Sequence, residues 1–377
     1  MSRRFDLCIV TGIYPPDTGG PAKFAESYLA WGKAHDKQIS IISLTDNADT
    51  LIEDNQTRIE LISRRHRFIK RFLLCVVAIR QMMRTGTPIV ANGMFLETLI
   101  ARYFGVRRFS YVCKVPGDIV WERARNSKKT VLDIDSFQGS KLTLGLRLFR
   151  KLFSLSLLRA SFVIVPSSHL QDLVRLWGVP GSRIRLIYNS IDIANFSPIQ
   201  TQKKSFDVIT VSRLVPWKGI DTVIEACSKL DLSLAVVGEG PEKENLQLLA
   251  KKLNAKTTFL GEIAQRDLPA VLSSARCFVL NSTFEATSYA LMEARACGLF
   301  TIANRGTGSE EVIHDNLDGL LTRIGTGDLI EALRRFKTDE SFVARATQLA
   351  IKDCSLRFDH NVNFAEIFAL ATSRGKQ

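Results

Sequence analysis

The chain lacks three features that would assign it to a class at once: paired cysteines, a long apolar segment and a cluster of metal ligands. Its seven cysteines are scattered and none belongs to a CxxC pair, so we expect buried free thiols in a reducing compartment. The longest uninterrupted apolar run, residues 72–79, is too short to span a bilayer. Its five histidines lie far apart, so no metal is expected. No signal peptide is recognised at the start, and we expect a cytoplasmic location.

The length and the alternation of segments predict two α/β domains. A chain of 377 residues exceeds one ordinary core and fits two domains of about 150 to 200 residues. Short apolar runs alternate with longer amphipathic segments, which predicts parallel strands joined by helical crossovers. The first series of strands is expected at 5–11, 38–44, 88–91, 109–113 and 162–166, and the second at 206–211, 233–237, 257–260, 276–280 and 299–303. The polar segment 197–204 separates two doubly wound domains, 1–198 and 199–377.

Positive charge is confined to the first half of the chain. Residues 1–200 hold 29 Lys and Arg against 16 Asp and Glu, whereas the remainder holds 22 of each. Segments 64–74 and 141–155 interleave cations with bulky apolar residues at helical spacing. Core-facing helices with a solvated basic face would explain this pattern, and so would in-plane contact with an anionic membrane surface. No nucleic-acid motif accompanies the cations, so no nucleic-acid partner is expected.

Two acids, Glu285 and Glu293, lie on either side of an expected helix start. The apolar run 277–280 predicts a buried parallel strand, and Thr287 or Ser288 can cap the following helix. A helix N-terminus at the carboxyl end of a strand is an anion site. An acid at each side suits a ligand with hydroxyls at both ends of a diphosphate, such as a nucleotide-sugar. The alternative is an ordinary strand–loop–helix unit with two surface acids.

Further loops offer groups that bind phosphate. Arg213 and Lys218 follow strand 206–211 and could neutralise a diphosphate, although they could equally be solvated loop cations. Gly19 and Gly20 precede the first helix and would let backbone approach an anion, or would form a flexible turn.

These segments together resemble the retaining glycosyltransferases of family 4, which have the GT-B fold. The matching segments are Gly19-Gly20, Tyr188–Asp192, Ser212–Gly219, Val237–Glu242, Phe259–Glu262 and Glu285–Gly298. The ordered set spans most of the chain, and its second half matches more specifically. The resemblance implies an acceptor-binding Rossmann-like domain over 1–198 and a nucleotide-sugar domain over 199–377, facing across a cleft, with the last helix packing back on the first domain.

The resemblance also implies roles for individual residues. Arg213 and Lys218 would grip the donor diphosphate, and Glu285 would bind the sugar hydroxyls; these three form the expected catalytic set. Glu293 would hold the ribose hydroxyls. Backbone N–H groups of Ala286, Thr287, Ser288 and Tyr289, together with the Gly19-Gly20 loop of the first domain, would surround the phosphates. Glu262 and Ile263 would border the nucleobase. The family needs no metal or other cofactor, and neither glutamate is assigned as a nucleophile.

The chain departs from the family pattern at two positions. Many members carry a histidine where this chain has Pro116, so Asp118 or Lys114 would have to replace its contact to sugar or acceptor. Asp118 after Pro-Gly could instead form a turn. A glycine commonly follows the first acid of the pair, and here that residue is Ala286.

The expected activity is retaining, metal-independent transfer of a hexosyl group. The donor would be a UDP- or GDP-linked sugar, and the acceptor a glycan or a polyprenyl- or otherwise lipid-linked molecule, in bacterial surface polysaccharide or glycolipid assembly. The enzyme could be peripheral on the inner face of the cell membrane. The alternatives are a nucleotide-sugar epimerase of GT-B fold and a non-catalytic protein that binds membrane or glycan on this scaffold.

Overall fold

The structure is a computed structural model that describes residues 3–373 except 18, 105, 107, 108, 200–203, 284 and 286. The chain divides into two compact units, Met1–Ile187 with Phe364–Gln377 and Tyr188–Asn363. The sequence placed the boundary after residue 198, whereas the second unit already begins at Tyr188. Ile191 and Phe196 explain the difference, because both are buried in the core of the second unit.

The first unit contains a doubly wound sheet whose strands, in spatial order, are β3-β4-β2-β1-β5-β6-β7-β8. The strands are β1 (Leu7–Val10), β2 (Ile39–Thr45), β3 (Thr50–Glu53), β4 (Thr57–Ser63), β5 (Ile89–Ala91), β6 (Val112–Lys114), β7 (Phe162–Val165) and β8 (Ile184–Leu186). All neighbouring strands are parallel except β3 and β4. Strands β3 and β4 were not predicted from the sequence. Both are rich in polar residues, and β3 is fully exposed, so neither shows the apolar run of a buried strand.

Helices connect the strands of the first unit. They are α1 (Gly20–Ala34), α2 (Phe68–Arg84), α3 (Phe95–Tyr103), α4 (Ile119–Asn126), α5 (Ile134–Gln138), α6 (Leu144–Arg159) and α7 (Ser168–Leu176). Apolar residues at helical spacing bury one face of α1 against the sheet, where Phe24, Tyr28 and Trp31 join the core.

The second unit has a fully parallel sheet in the order β11-β10-β9-β12-β13-β14. Its strands are β9 (Phe206–Val211), β10 (Leu234–Val237), β11 (Thr257–Gly261), β12 (Ala275–Leu280), β13 (Phe300–Asn304) and β14 (Leu320–Thr322). Its helices are α8 (Ile220–Lys229), α9 (Lys243–Lys252), α10 (Leu268–Ser273), α11 (Tyr289–Ala296), α12 (Thr326–Thr338) and α13 (Glu340–Arg357). The last helix, α14 (His360–Thr372), contributes Phe364 and Ile367 to the core of the first unit.

The predicted α/β class with two doubly wound parallel sheets is confirmed. Each sheet reverses its strand order once, between β1 and β5 in the first unit and between β9 and β12 in the second. Sheets of this kind bind ligands outside the carboxyl ends of the strands at such a reversal. The fold therefore points to the loops that follow these four strands. Within the described residues, no helix combines the length and the apolar character that crossing a bilayer requires.

Candidate functional site

The two loops predicted to bind the donor diphosphate and sugar lie at the strand reversal of the second unit. Residues 212–219 follow β9, and residues 281–288 follow its neighbour β12. Both loops therefore leave the same edge of the sheet from adjacent parallel strands. Residues widely separated in sequence thus meet where a doubly wound sheet binds its ligand.

Backbone contacts hold these two loops together. Asn281 Nδ2 donates a hydrogen bond to Gly219 O at 3.0 Å, and Thr283 N donates to Trp217 O at 2.9 Å. Gly219 has φ +59°, and a Cβ atom there would lie 2.6 Å from Asn281. Only glycine fits this position without strain. The tight turn at Gly219 therefore fixes the neighbouring Lys218 close to the loop that follows β12.

Lys218 and Glu285 form a direct ion pair in this crevice. Lys218 Nζ donates a hydrogen bond to Glu285 Oε1, and both side chains are largely buried. Glu285 is itself fixed from behind, because its carbonyl oxygen accepts a hydrogen bond from Gly308 N at 2.8 Å. The structure thus brings together two of the three residues predicted to be catalytic.

Arg213, the third residue of that set, lies on the surface beside the same loop. Its side chain is exposed and makes no hydrogen bond or ion pair with any part of the chain that the structure describes. The loop that carries it packs against residues 238–240, where a Cβ atom on Gly238 would come within 2.0 Å of Ser212 O. Arg213 is therefore an exposed cation on a closely packed backbone, available to pair with an incoming anion.

Glu293 lies on α11 and is almost completely buried. Ser288, one of the two caps that the sequence predicted, caps this helix by accepting a hydrogen bond from Leu291 N at 3.4 Å. Glu293 accepts a hydrogen bond from Gln265 Nε2 at 2.8 Å. Burial, and then the charge of Glu293, raise the pKa of the adjacent Tyr289. The carboxylate is thus held at a helix start, oriented by a residue, Gln265, that the sequence analysis did not identify.

The remaining predicted donor-binding residues of this unit lie in two segments, one between Glu285 and Glu293 and one after β11. Thr287 is buried and its carbonyl oxygen lies 3.5 Å from Asn189 Nδ2, whereas Ala286 lies outside the described residues. Glu262 is exposed directly after β11, and Ile263 is partly buried against the core.

Several buried polar atoms at the carboxyl edge of this sheet have no hydrogen-bond partner. Within the described residues they are Ser212 Oγ after β9, Asn281 Oδ1 and Ser282 Oγ after β12, and Ser309 Oγ after β13. Buried polar groups almost always find partners, so a group of exceptions at one edge needs an explanation. A bound ligand rich in oxygen atoms would supply the missing partners. Ser309 was missed in the sequence, although the Gly-Thr-Gly-Ser segment 306–309 after a strand is a signal of the same kind as 212–219.

The predicted glycine loop of the first unit also lies at its strand reversal. Gly19, with φ +148°, is the N-cap of α1, and Gly20 is the first helical residue. Asn92, at the end of the neighbouring β5, donates to Pro21 O at 3.3 Å, and its Oδ1 is buried without a partner in the described part of the chain. Each unit therefore has polar groups and tight glycine turns at the edge where its fold binds ligands.

Asp118 has a structural role, and neither of its carboxylate oxygens is free to bind the acceptor substrate. Its Oδ1 accepts from Val120 N at 2.9 Å and Trp121 N at 3.1 Å and thereby caps α4. Its Oδ2 accepts from Gln138 Nε2 at 3.0 Å and Arg150 Nη2 at 2.8 Å. These four bonds use the full capacity of a carboxylate. The geometry therefore gives Asp118 a structural role, as the turn-forming alternative expected, although as a helix cap, and it does not fit a direct sugar contact.

Lys114 is buried at the carboxyl end of β6. Its Nζ lies 4.6 Å from the centroid of the Phe24 ring, and burial lowers the pKa of Lys114 to about 7. Burial, followed by the charge of Asp118, raises the pKa of nearby Glu122 to about 7. Two groups that titrate near neutrality therefore lie close to the position where Pro116 replaces the family histidine.

A possible ligand cluster in the second unit is better explained as an ion-pair network. His314, Asp318 and Asp353 bring their ligand atoms within 4.8 Å of one another. The fully buried Arg295 guanidinium lies 3.0 Å from Asp318 Oδ2 and 3.5 Å from Asp353 Oδ2. Burial acts to raise the pKa of Asp318, but the charge of Arg295 holds it below its usual value. The acids already have a cation as a partner.

Comparisons with known proteins identify what this chain is similar to. Residues 192–353 match the family model described as glycosyl transferases group 1. The Arabidopsis thaliana subunit of phosphatidylinositol N-acetylglucosaminyltransferase is 29% identical over 168 residues, which cover 42% of this chain and 37% of that protein. The N-acetylgalactosamine-N,N'-diacetylbacillosaminyl-diphospho-undecaprenol 4-alpha-N-acetylgalactosaminyltransferase of Campylobacter jejuni is 27% identical over 187 residues, which cover 47% of this chain and 51% of that protein. The matched region is thus about half the length of these relatives or less.

The fold is similar to that of solved glycosyltransferases over nearly the whole chain. Sucrose-phosphate synthase from Thermosynechococcus elongatus superposes with a TM-score of 0.77 at 18% identity and covers 97% of both chains. At this identity the likeness shows the fold alone, and it confirms the GT-B class expected from the sequence.

Proposed function

We propose that this chain, whose residues 192–353 match the model of the group 1 glycosyltransferases, transfers a hexosyl group from a nucleotide-sugar to a glycan or lipid-linked acceptor with retention of configuration. One observation supports this most: Lys218 and Glu285 are paired at the strand reversal of the second unit. The crevice thus holds a cation for a diphosphate and an acceptor for sugar hydroxyls side by side.

Donor binding would exchange the partners of this pair. A diphosphate oxygen would take the place of Glu285 as the partner of Lys218, and Arg213 would add a second charged hydrogen bond. Glu285, released from Lys218, would accept hydrogen bonds from the sugar hydroxyls. The hydroxyls of Ser282 and Ser309, which have no hydrogen-bond partner in the described part of the chain, offer further contacts to an oxygen-rich ligand. Glu293, oriented by Gln265, would hold the ribose hydroxyls, and Glu262 and Ile263 would border the base.

The reaction we propose keeps both glutamates out of covalent chemistry. The bond between the anomeric carbon and the phosphate oxygen breaks while the acceptor oxygen bonds to the same face of that carbon. The leaving phosphate oxygen takes the proton of the acceptor hydroxyl. Lys218 and Arg213 would stabilise the charge that grows on the phosphate, because prearranged cations act most strongly where charge develops. These side chains would do the work that a metal ion performs elsewhere, so we propose metal-independent transfer.

The acceptor side of the proposal rests on the first unit and on the relatives. The Campylobacter relative is named for a diphospho-undecaprenol acceptor, and the Arabidopsis relative for phosphatidylinositol. We propose a lipid-linked or glycan acceptor in bacterial surface polysaccharide or glycolipid assembly. The enzyme would then act at the inner face of the cell membrane, as a peripheral protein on the cytoplasmic side.

A ligand screen followed by product analysis tests this function. Thermal unfolding is measured with UDP-, GDP- and ADP-sugars, and a donor at a hundred times its Kd should stabilise the protein by about 2.7 kcal/mol. The stabilising donor is then incubated with lipid-linked acceptors, and NMR of the new glycosidic bond should show the anomeric configuration of the donor.

Three outcomes would contradict the proposal. A product of inverted configuration would exclude retention. An epimerised nucleotide-sugar without transfer would identify the alternative epimerase. The absence of stabilisation, donor hydrolysis and transfer with every donor would leave a non-catalytic protein on this scaffold.

A further inference from the structure

Helix α2 in the first unit has a row of exposed apolar side chains. Ile69, Leu73 and Val77 follow one another at intervals of four residues and are 72%, 55% and 59% exposed. The opposite face of the helix is buried and includes Cys75, Ile79 and Met82. Helix α2 therefore has an exposed row of apolar side chains as well as a buried apolar face. A core-facing helix with a solvated basic face would not have this exposed row.

Cations outnumber acids around this apolar row, and the nearest acids, Asp49 beside Lys70 and Glu97 beside Arg71, come from outside the helix. Residues 61–96 contain seven Lys and Arg and no Asp or Glu. Arg67 and Lys70 are exposed, and Arg71 lies over the ring of the exposed Phe68, at 5.8 Å from its centroid. Cations in the first turn of a helix oppose its dipole, so local helix stability does not favour them here. Their position favours an external anionic partner.

The arrangement of the sheet places this surface at the ligand-binding rim of the first unit. α2 follows β4, so it begins at the carboxyl edge of a parallel sheet. Arg64, just before the helix, donates from Nη2 to Gly12 O at 2.9 Å and to Asp17 Oδ2 at 2.6 Å. Arg71 Nη1 in turn donates to Arg64 O at 3.1 Å. The exposed face of α2 is thus tied directly to the loop that leads to Gly19 and Gly20.

A second basic and apolar turn lies nearby on the same unit. Helix α3 packs against both α2 and α6. At the start of α6, Leu144 and Leu148 are 81% and 57% exposed, and Arg147 and Lys151 are exposed beside them. Because α6 ends just before β7, its start lies towards the carboxyl edge of the sheet. The two exposed apolar turns therefore lie on the same side of the first unit.

We propose that the exposed face of α2, consisting of Arg67, Phe68, Ile69, Lys70, Leu73 and Val77, binds in the plane of an anionic phospholipid surface. The apolar side chains enter the boundary between headgroups and acyl chains, and the cations contact lipid phosphates. Because the start of α2 is joined to the Gly12–Asp17 loop, this orientation brings a lipid-linked acceptor to the rim where the first unit binds ligands. The functional consequence rests on the proposed transferase activity, whereas the binding itself does not.

Vesicle co-sedimentation tests this surface. The full chain should bind vesicles of phosphatidylcholine with phosphatidylglycerol, should bind pure phosphatidylcholine much less, and should lose binding as salt rises. The variant Ile69→Gln/Leu73→Gln/Val77→Gln should reduce the partition coefficient at least about tenfold, as should Arg67→Gln/Lys70→Gln. The matched control variants are Leu248→Gln and Lys251→Gln/Lys252→Gln, exposed positions in the second unit, and these should bind as the parent does.

Further measurements separate this proposal from folding and from the enzymatic proposal. Each variant is accepted only if its thermal melt resembles that of the parent, and stabilisation by a soluble nucleotide-sugar should be unchanged. Retained vesicle binding by both α2 variants would overturn the proposal. A dimer in solution that the triple variant converts to a monomer would also overturn it, since a second copy would then cover the face. Vesicle binding without donor stabilisation would support the surface and contradict the transferase instead.

Discussion

The ammonium group of Lys218 donates a hydrogen bond to Oε1 of Glu285, across 67 positions of sequence, at the strand reversal of the second sheet. The contact exists because the turn ending at Gly219 is bonded to Asn281, at the start of the loop that carries Glu285. The fold itself therefore pairs Lys218 with Glu285. In our proposal each of these two residues binds a part of the donor.

Removing Lys218 should abolish most of the transfer activity without unfolding the protein. Lys218→Ala, Arg213→Ala and Glu285→Ala should each lower kcat/KM at least a hundredfold, about 2.7 kcal/mol of transition-state stabilisation. Steady-state kinetics with the identified donor measures the effect. Lys251→Ala, on an exposed helix face, serves as the control. Near-parental transfer by any of the three variants would remove that residue from the catalytic set.

Gln265 should affect donor binding more than the chemical step. It orients the buried Glu293 through a 2.8 Å hydrogen bond, and loss of such a bond to a charged group costs about 1.5–3 kcal/mol. Gln265→Ala should therefore raise the KM for the donor roughly tenfold and leave kcat within about a factor of two. Gln247→Ala, an exposed position on α9, is the control. A fall in kcat at constant KM would show that Glu293 acts in the transition state rather than in binding.

The close approach at Gly238 should not tolerate a side chain. This residue has φ +127°, and a Cβ atom would lie 2.0 Å from Ser212 O. Gly238→Ala should therefore lower the free energy of unfolding by more than about 1 kcal/mol and should also weaken donor binding, because the Arg213 loop must move. Gly327→Ala, in α12 with no heavy atom within 4 Å of the added methyl group, should be neutral or slightly stabilising. Urea unfolding compares the two, and equal stabilities would contradict the tight packing.

Asp118 should matter for stability and not for acceptor recognition. It is fully buried, caps α4 and pairs with Arg150. Asp118→Asn leaves the guanidinium without its charged partner, and breaking a buried pair costs about 3–5 kcal/mol. The exposed cap Asp133→Asn should cost about 1 kcal/mol or less. Urea unfolding measures both. A stable Asp118→Asn protein with a greatly raised KM for the acceptor would instead support a direct contact.

The buried Lys114 should make stability rise with pH. Its pKa is about 7 in the folded protein and near the ordinary 10.5 in the unfolded chain. Between these values the unfolded state binds more protons, so raising the pH favours folding. Lys114→Met removes this dependence, and its gain in melting temperature over the parent should be largest at pH 7 and below and should shrink towards pH 10. Lys129→Met, an exposed control, should show a constant difference. A constant gain for Lys114→Met would contradict the low pKa.

The apolar periodicity of the sequence was sufficient for most of the fold. Runs such as 206–211 and 276–280 are mostly apolar because their central residues are buried within a parallel sheet, and the structure has strands there. Strands β3 and β4 were missed because β3 is fully exposed and β4 carries polar side chains. Thr287 or Ser288 was predicted as a helix cap and Ser288 acts as one, since capping depends on neighbours along the chain.

What the sequence determined by itself is the set of residue types that follow each strand: the Arg213 and Lys218 cations, the Glu285 and Glu293 acids and the glycines that allow tight turns. What only the tertiary structure decided is which of these groups meet. Strand order brings β9 beside β12 and thereby Lys218 to Glu285, and helix packing between α10 and α11 accompanies the contact of Gln265 with Glu293. The same packing places Asp118 inside a hydrogen-bond network and leaves the apolar row of α2 exposed. Such pairings depend on contacts between distant segments, which local propensity does not encode.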